Sequence, residues 1–322
     1  STNGNGSVCP PRQENCIVGE NDNEGIMKGD TPVKRTFAIR AVGCTVRGCV
    51  FVLLGTLITI VLILGLALGL ARDQSLTYHG GEDRIDEMIN YLVEHGVSSA
   101  DDLLDGSRRS PQFQAVDWLA HDDEFEIGIP KSGNDLSTRV GYDFVVRYTM
   151  AVLYYATTGK SWNYDLSFLS SKPTCEWFQT FAPPVGQVGV LCNQMTQQLV
   201  GLSLVSNNID GSLPSELGQL TTITYLESIG NSVSGSLPDA IAGLTQMRTF
   251  VMALNALTGA IPDWINEWKN LEFLYLSNNL LTGTIPSTMA ELRGLSVLAL
   301  DDNTLSGSIE VAWVLPGLEY LY

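Results

Sequence analysis

Leu271–Gly294 reads LEFLYLSNNLLTGTIPSTMAELRG, and no other stretch says as much about how this chain folds. Leucine stands at its first, fourth and sixth positions (Leu271, Leu274, Leu276). Asparagine stands at the ninth (Asn279) and glycine at the thirteenth (Gly283), just before Ile285-Pro286. The same spacing extends in both directions. First positions fall on Leu199, Ile223, Met247, Leu271 and Leu295, with a sixth unit opening at Leu318. The ninth position is Asn207, Asn231, Asn255, Asn279 and Asn303, and the thirteenth is Gly211, Gly235, Gly259, Gly283 and Gly307. Leu213-Pro214, Leu237-Pro238 and Ile261-Pro262 complete the series. A fixed period of about two dozen residues is the signature of a solenoid, and no unit of it buries its apolar face alone.

The Leu-x-x-Leu-x-Leu segment predicts a short strand in each unit, with the fourth and sixth positions inside. Strand alternation then sends the third, fifth and seventh to the concave face. The third column reads Gly201, Tyr225, Thr249, Phe273, Val297, Tyr320, and the fifth Ser203, Glu227, Val251, Tyr275, Ala299, Tyr322. The ninth-position asparagines predict a ladder of side-chain bonds to turn backbone. Glycine at thirteen permits a tight backbone, and the proline fixes an extended segment after it. Two irregularities stand out. Ser228 replaces a sixth-position leucine, and the fifth unit lacks the proline (Glu310).

The chain has 322 residues and a formal charge of −17, unevenly spread. Residues 72–322 carry twelve Lys and Arg against thirty Asp and Glu. Such an acidic surface repels phosphate backbones, so nucleic acid is not expected as a partner. The chain starts without methionine and stops inside a repeat, which reads as a piece of a longer protein.

Residues 1–49 read as a cytoplasmic tail, polar and disordered at its start. Val50 to Ala71 is uncharged and almost wholly apolar. As a helix it would rise about 33 Å, enough to span a bilayer. Lys34, Arg35, Arg40 and Arg47 precede it, whereas acidic residues follow Arg72. The positive-inside bias therefore predicts a signal anchor with the N-terminus cytoplasmic and the repeats outside. Cys44 and Cys49, at the cytoplasmic mouth, are candidates for palmitoylation or simply juxtamembrane thiols. Gly65 and Gly69 would let two such helices approach and dimerise.

Residues 72–137 read as a juxtamembrane helical linker. Ile85, Met88, Ile89 and Leu92 predict a helix over Asp83–His95 closed by Gly96, and Ser110-Pro111 starts a second. The acidic run Asp122–Glu126 reads as a solvated face, because it lacks the alternate spacing of a calcium loop. Ser137 to Thr158 predicts a third helix with Phe144, Val145, Tyr148, Val152 and Tyr155 as its stripe. Cys175 and Cys192, the two cysteines beyond the apolar run, are most simply a disulfide in an oxidising compartment. No nucleophile–base pair, phosphate loop, metal spacing or cofactor motif appears, so an enzyme is not expected.

Ala151-Val-Leu-Tyr-Tyr-Ala-Thr, Gly159-Lys-Ser-Trp162, Cys175-Glu-Trp177 and Gly189-Val-Leu-Cys192 resemble the N-terminal cap of plant-type leucine-rich repeat receptors. The repeats resemble the plant-specific class, whose Gly-x-Ile-Pro segment implies an extra short strand beside the main sheet. The layout as a whole is similar to single-pass leucine-rich repeat membrane proteins of diatoms and related stramenopiles. The resemblance implies an α/β solenoid over 199–322 behind a mainly helical cap at 138–198. It implies no kinase here, since the segment before the apolar run is too short for such a domain. The expectation for function is a membrane-anchored ectodomain that binds a protein or peptide on its concave face. Tyr225, Glu227, Val251, Phe273, Tyr275, Val297, Asp301 and Tyr320 are the candidate contacts. The alternative is a structural or adhesion protein that uses the solenoid as a spacer.

Overall fold

The computed structural model describes residues 83–104, 107–131, 137–309 and 315–322. The apolar run Val50–Ala71, with Cys44, Cys49, Gly65 and Gly69, lies outside the described residues. Among those described, no helix is long and apolar enough to cross a membrane.

Four helices open the described chain: α1 over 83–94, α2 (Ala100–Leu103), α3 (Pro111–His121) and α4 (Arg139–Ala156). The local chemistry sets their ends. Ser110 Oγ accepts from Phe113 N, Pro111 sits in the first turn, and Thr138 Oγ1 accepts from Gly141 N. Helix α4 stops before Thr158, whose hydroxyl donates to Asp210 O at 3.0 Å. The helix end is thereby tied to the first repeat.

The strands form two sheets. The larger has the order β1-β2-β3-β5-β7-β9-β10-β11: β1 (Phe178–Thr180), β2 (Gln187–Cys192), β3 (Leu199–Ser203), β5 (Tyr225–Glu227), β7 (Thr249–Val251), β9 (Phe273–Tyr275), β10 (Val297–Ala299) and β11 (Tyr320–Leu321). From β3 onward all pairs are parallel and in register, one strand per repeat. The second sheet is β4 (Asp210–Ser212), β6 (Ser232–Gly235) and β8 (Ala256–Leu257), continued by bridges at Ala260–Thr282 and Thr284–Ser306. This is the extra strand implied by the resemblance. After each proline a 3-10 helix follows, at Ser215–Gln219, Asp239–Gly243, Asp263–Glu267 and Ser287–Glu291.

The core is a set of stacked columns. Leu202, Leu226, Phe250, Leu274 and Leu298 are all buried, and each such burial stabilises by roughly 1.5–3 kcal/mol. Where Trp268 stands in the column otherwise held by Leu220, Leu244 and Leu292, its ring packs on Phe250 at 4.9 Å and its Nε1 donates to Ile241 O. The thirteenth-position glycines all have positive φ, from 77° at Gly235 to 137° at Gly211. At Gly211 a Cβ would stand 2.1 Å from Ala156 O, so only glycine lets α4 meet the first repeat.

The asparagine ladder is complete. Asn231 Oδ1 accepts from Asn207 N and Ile209 N, while its Nδ2 donates back to Leu204 O. Asn255, Asn279 and Asn303 clasp the preceding turn in the same way. Asn207 has no earlier repeat, and Tyr164 of the cap takes that place: its N donates to Asn207 Oδ1 and its O accepts from Nδ2. Ser228 keeps its place in the ladder by accepting from Asn231 Nδ2 at 3.0 Å.

The cap corrects three expectations. It is less purely helical than expected, because β1 and β2 extend the main sheet with antiparallel pairing. The segment read as a linker is packed against the cap and the first repeat: Trp118 of α3 meets Trp177 at 5.9 Å, and Gln219 Nε2 donates to Gly96 O. The acidic run is not wholly solvated either. Asp123 is buried against Arg147 of α4, and both side chains are 0% exposed. Arg147 also donates to Lys172 O and Ser170 O, and its guanidinium lies 4.6 Å from the Trp177 ring. The Cys175–Cys192 disulfide forms as expected, across a Cα–Cα distance of 5.6 Å.

Candidate ligand-binding face

The third, fifth and seventh positions of successive strands share the concave face, with Tyr225, Thr249, Phe273, Val297 and Tyr320 in one row. The parallel register sets Glu227, Val251, Tyr275 and Ala299 in the next. Adjacent strands lie about 4.8 Å apart, so neighbouring members of a row touch.

That contact divides the candidates. Tyr225, Phe273 and Tyr275 are half-buried, and Tyr320 is 54% exposed. Val251 and Val297, by contrast, are 9% and 6% exposed. Val251 lies between Glu227 and Tyr275, and Val297 between Phe273 and Tyr320. The larger neighbours cover these short side chains, which removes both valines from the ligand-accessible set.

Glu227 anchors a polar cluster among the rings. Its Oε2 accepts from Ser203 Oγ at 3.0 Å and from Tyr225 Oη at 2.5 Å. The Tyr225 hydroxyl is pushed well above its usual pKa range, first by burial and then by the proton it gives to Glu227. Farther along the face, Asp301 accepts from Ser277 Oγ. Sequence columns at positions three and five overlooked Ser277, which sits at position seven; the same alternation would have found it. Leu254, 51% exposed with φ 57°, also adds apolar surface at the adjoining turn.

Among the described residues no group of three or more His, Cys, Asp or Glu could hold a metal ion. The cap has a cavity of about 140 Å³ beside the disulfide, between Phe125, Tyr142, Val146 and Pro173. A second polar cluster gathers Ser98, after α1, with Gln112 of α3, Tyr148 of α4 and Glu216. Ser98 Oγ donates to Glu216 at 2.6 Å, Gln112 Nε2 donates to the same carboxylate, and Tyr148 Oη donates to Ser98. These groups join the helices to the first repeat, with Ser98, Tyr148 and Glu216 buried.

Residues 245–305 match the family described as Leucine rich repeat. No curated protein sequence matches the chain. Among solved structures it is similar to the BIR3–SERK2 complex from Arabidopsis thaliana. That likeness is 34% identical over 48% of this chain and 83% of that one, with a TM-score of 0.39. It is also similar to the Arabidopsis receptor kinase HAESA in complex with the peptide hormone IDA and the co-receptor SERK1. There the identity is 33%, over 42% of this chain and 23% of that one, with a TM-score of 0.39. PEPR1–AtPEP1 is 27% identical over 54% of this chain, with a TM-score of 0.45, and the chain spans 24% of that protein's length.

Proposed function

We propose that this chain is a receptor-like recognition module whose repeats capture a protein or peptide segment on the concave face. One observation carries the reading: three half-buried aromatic rings, Tyr225 on β5 and Phe273 and Tyr275 on β9, share the concave face of one parallel sheet. Rigid rings supply contact area at little entropic cost. The apolar run Val50–Ala71 and its charged flanks support a single-pass anchor in the bilayer, with the N-terminus cytoplasmic and the repeats outside. The order of segments supports kinship with the single-pass stramenopile proteins. In this reading the protein binds and does not catalyse, and it needs no cofactor.

The test replaces Tyr225, Phe273 and Tyr275 together by serine. Peptides selected from a random display library on the full chain lose binding to this variant, while its circular dichroism is unchanged. Retained binding on an intact fold sinks the assignment of this face.

A further inference from the structure

We infer that the concave face selects a cationic segment: an extended peptide stretch with two Arg or Lys side chains an even number of residues apart, about four to six, so that both point to the sheet. This rests on the concave-face reading above and adds the chemistry of the occupant.

The argument begins with charge. Positions three, five and seven of the strands carry Glu227 and Asp301 and no Lys, Arg or His. The base next to the face by register, Arg248, is committed elsewhere, with its Nη1 2.6 Å from Glu272 Oε1. Among the described residues, therefore, no cation neutralises Glu227 within the face. An acidic or phosphorylated ligand would meet repulsion there, whereas a basic one meets complementary potential.

Both carboxylates are held by one oxygen and left open at the other. Oε2 of Glu227 takes the protons of Ser203 and Tyr225, and Oε1 has no hydrogen-bond partner among the described residues. Asp301 receives Ser277 at Oδ1 alone. Such fixed, half-satisfied carboxylates accept a charge-assisted bond without first ordering a side chain.

Spacing sets the ligand's pattern. Glu227 lies on β5, and Asp301 follows β10, three strands away and two positions farther along. At about 4.8 Å per strand and 3.3 Å per residue the two are roughly 15 Å apart, within reach of side chains about four to six residues apart on one face of an extended peptide. Phe273 and Tyr275 lie on the strand β9 between them, offering ring faces to guanidinium or ammonium groups.

The test selects random dodecapeptides on the full 322-residue chain, solubilised in detergent. The same peptides are then measured on E227Q, D301N and a Phe273→Ser, Tyr275→Ser double variant. Glutamine at 227 retains an oxygen for Ser203 and Tyr225, so the fold is preserved. The expected result is enrichment of paired Arg or Lys, with affinity about tenfold lower on E227Q and on D301N and falling with salt. Uncharged or acidic peptides that the aromatic double variant fails to bind overturn the cationic class and leave the concave-face reading standing. No enrichment, or peptides indifferent to every substitution, overturns both.

Discussion

Arg147 and Asp123 form an ion pair sealed from water on both sides, with Trp118, Phe125 and Trp177 around the guanidinium. The pair joins α4 to the loop after α3 and, through Lys172 O, to the turn that leads into the disulfide. Breaking such a pair from one side strands a buried charge, at a cost of about 3–5 kcal/mol. Arg147→Met is therefore expected to destabilise the cap by that amount in chemical denaturation. The double variant Arg147→Met, Asp123→Leu should recover part of the loss. A double variant no more stable than the single one would contradict this account.

Asn255 serves two repeats at once, accepting from Val233 N and donating to Ser228 O and Met252 O. Asn255→Ala strands one donor and at least one carbonyl in half-buried surroundings, costing about 3 kcal/mol. Because neighbours stabilise one another, proteolysis of this variant should begin near residues 228–255 and leave the cap intact. Uniform loss across cap and repeats would argue against nearest-neighbour stabilisation.

The Cys175–Cys192 bond closes a loop with a sequence separation of 17 residues. A loop of that size corresponds to about 3 kcal/mol. Reduction, or the paired serine variant, should lower the unfolding temperature of the cap. An unchanged melting curve would show that the aromatic packing alone holds it.

Tyr155 is pushed up to about 12 from 10.0, by burial first and then by Tyr154, Asp122 and Asp117. Below pH 10 its hydroxyl is protonated whether the chain is folded or not, and its contribution is fully present. Above pH 10 the unfolded chain releases a proton that the folded chain keeps, so stability falls as pH rises through about 12. Denaturant titrations between pH 9 and 12 should show a shallower decline for Tyr155→Phe than for the native chain. Parallel curves would remove Tyr155 from the alkaline transition.

Asn5-Gly6-Ser7 is the chain's only Asn-x-Ser/Thr sequon, and it precedes the apolar run. The proposed orientation leaves it in the cytoplasm and therefore unmodified. A glycan on Asn5 in cells, seen as a mobility shift removed by glycosidase, would invert the topology.

The repeats were legible because their constraints recur. A column such as Leu202 to Leu298 repeats one packing requirement, and Asn207 to Asn303 repeat one backbone demand. Nothing recurs in the cap. Asp123 and Arg147 stand 24 residues apart with no pattern to announce the pair, and an acidic run alone looks solvated. Strand β2 is interrupted by Gly189, which hides its alternation. On the concave face the columns were legible but accessibility was not. Whether Val251 or Val297 meets solvent depends on the bulk of Tyr275, Phe273 and Tyr320 on adjoining strands, a property of neighbours a period away.

The asparagine ladder also gives the stack a direction. Every rung reaches back to the turn before it, so the repeats resemble stairs that can be climbed from one end only, with Tyr164 as the first step. Excising one whole unit, such as Met247–Asn270, would still present Leu271 with an equivalent predecessor and Asn279 with an equivalent turn. Length is thus adjustable in steps of a full repeat without re-tailoring any joint, whereas loss of the cap would leave Asn207 reaching for nothing.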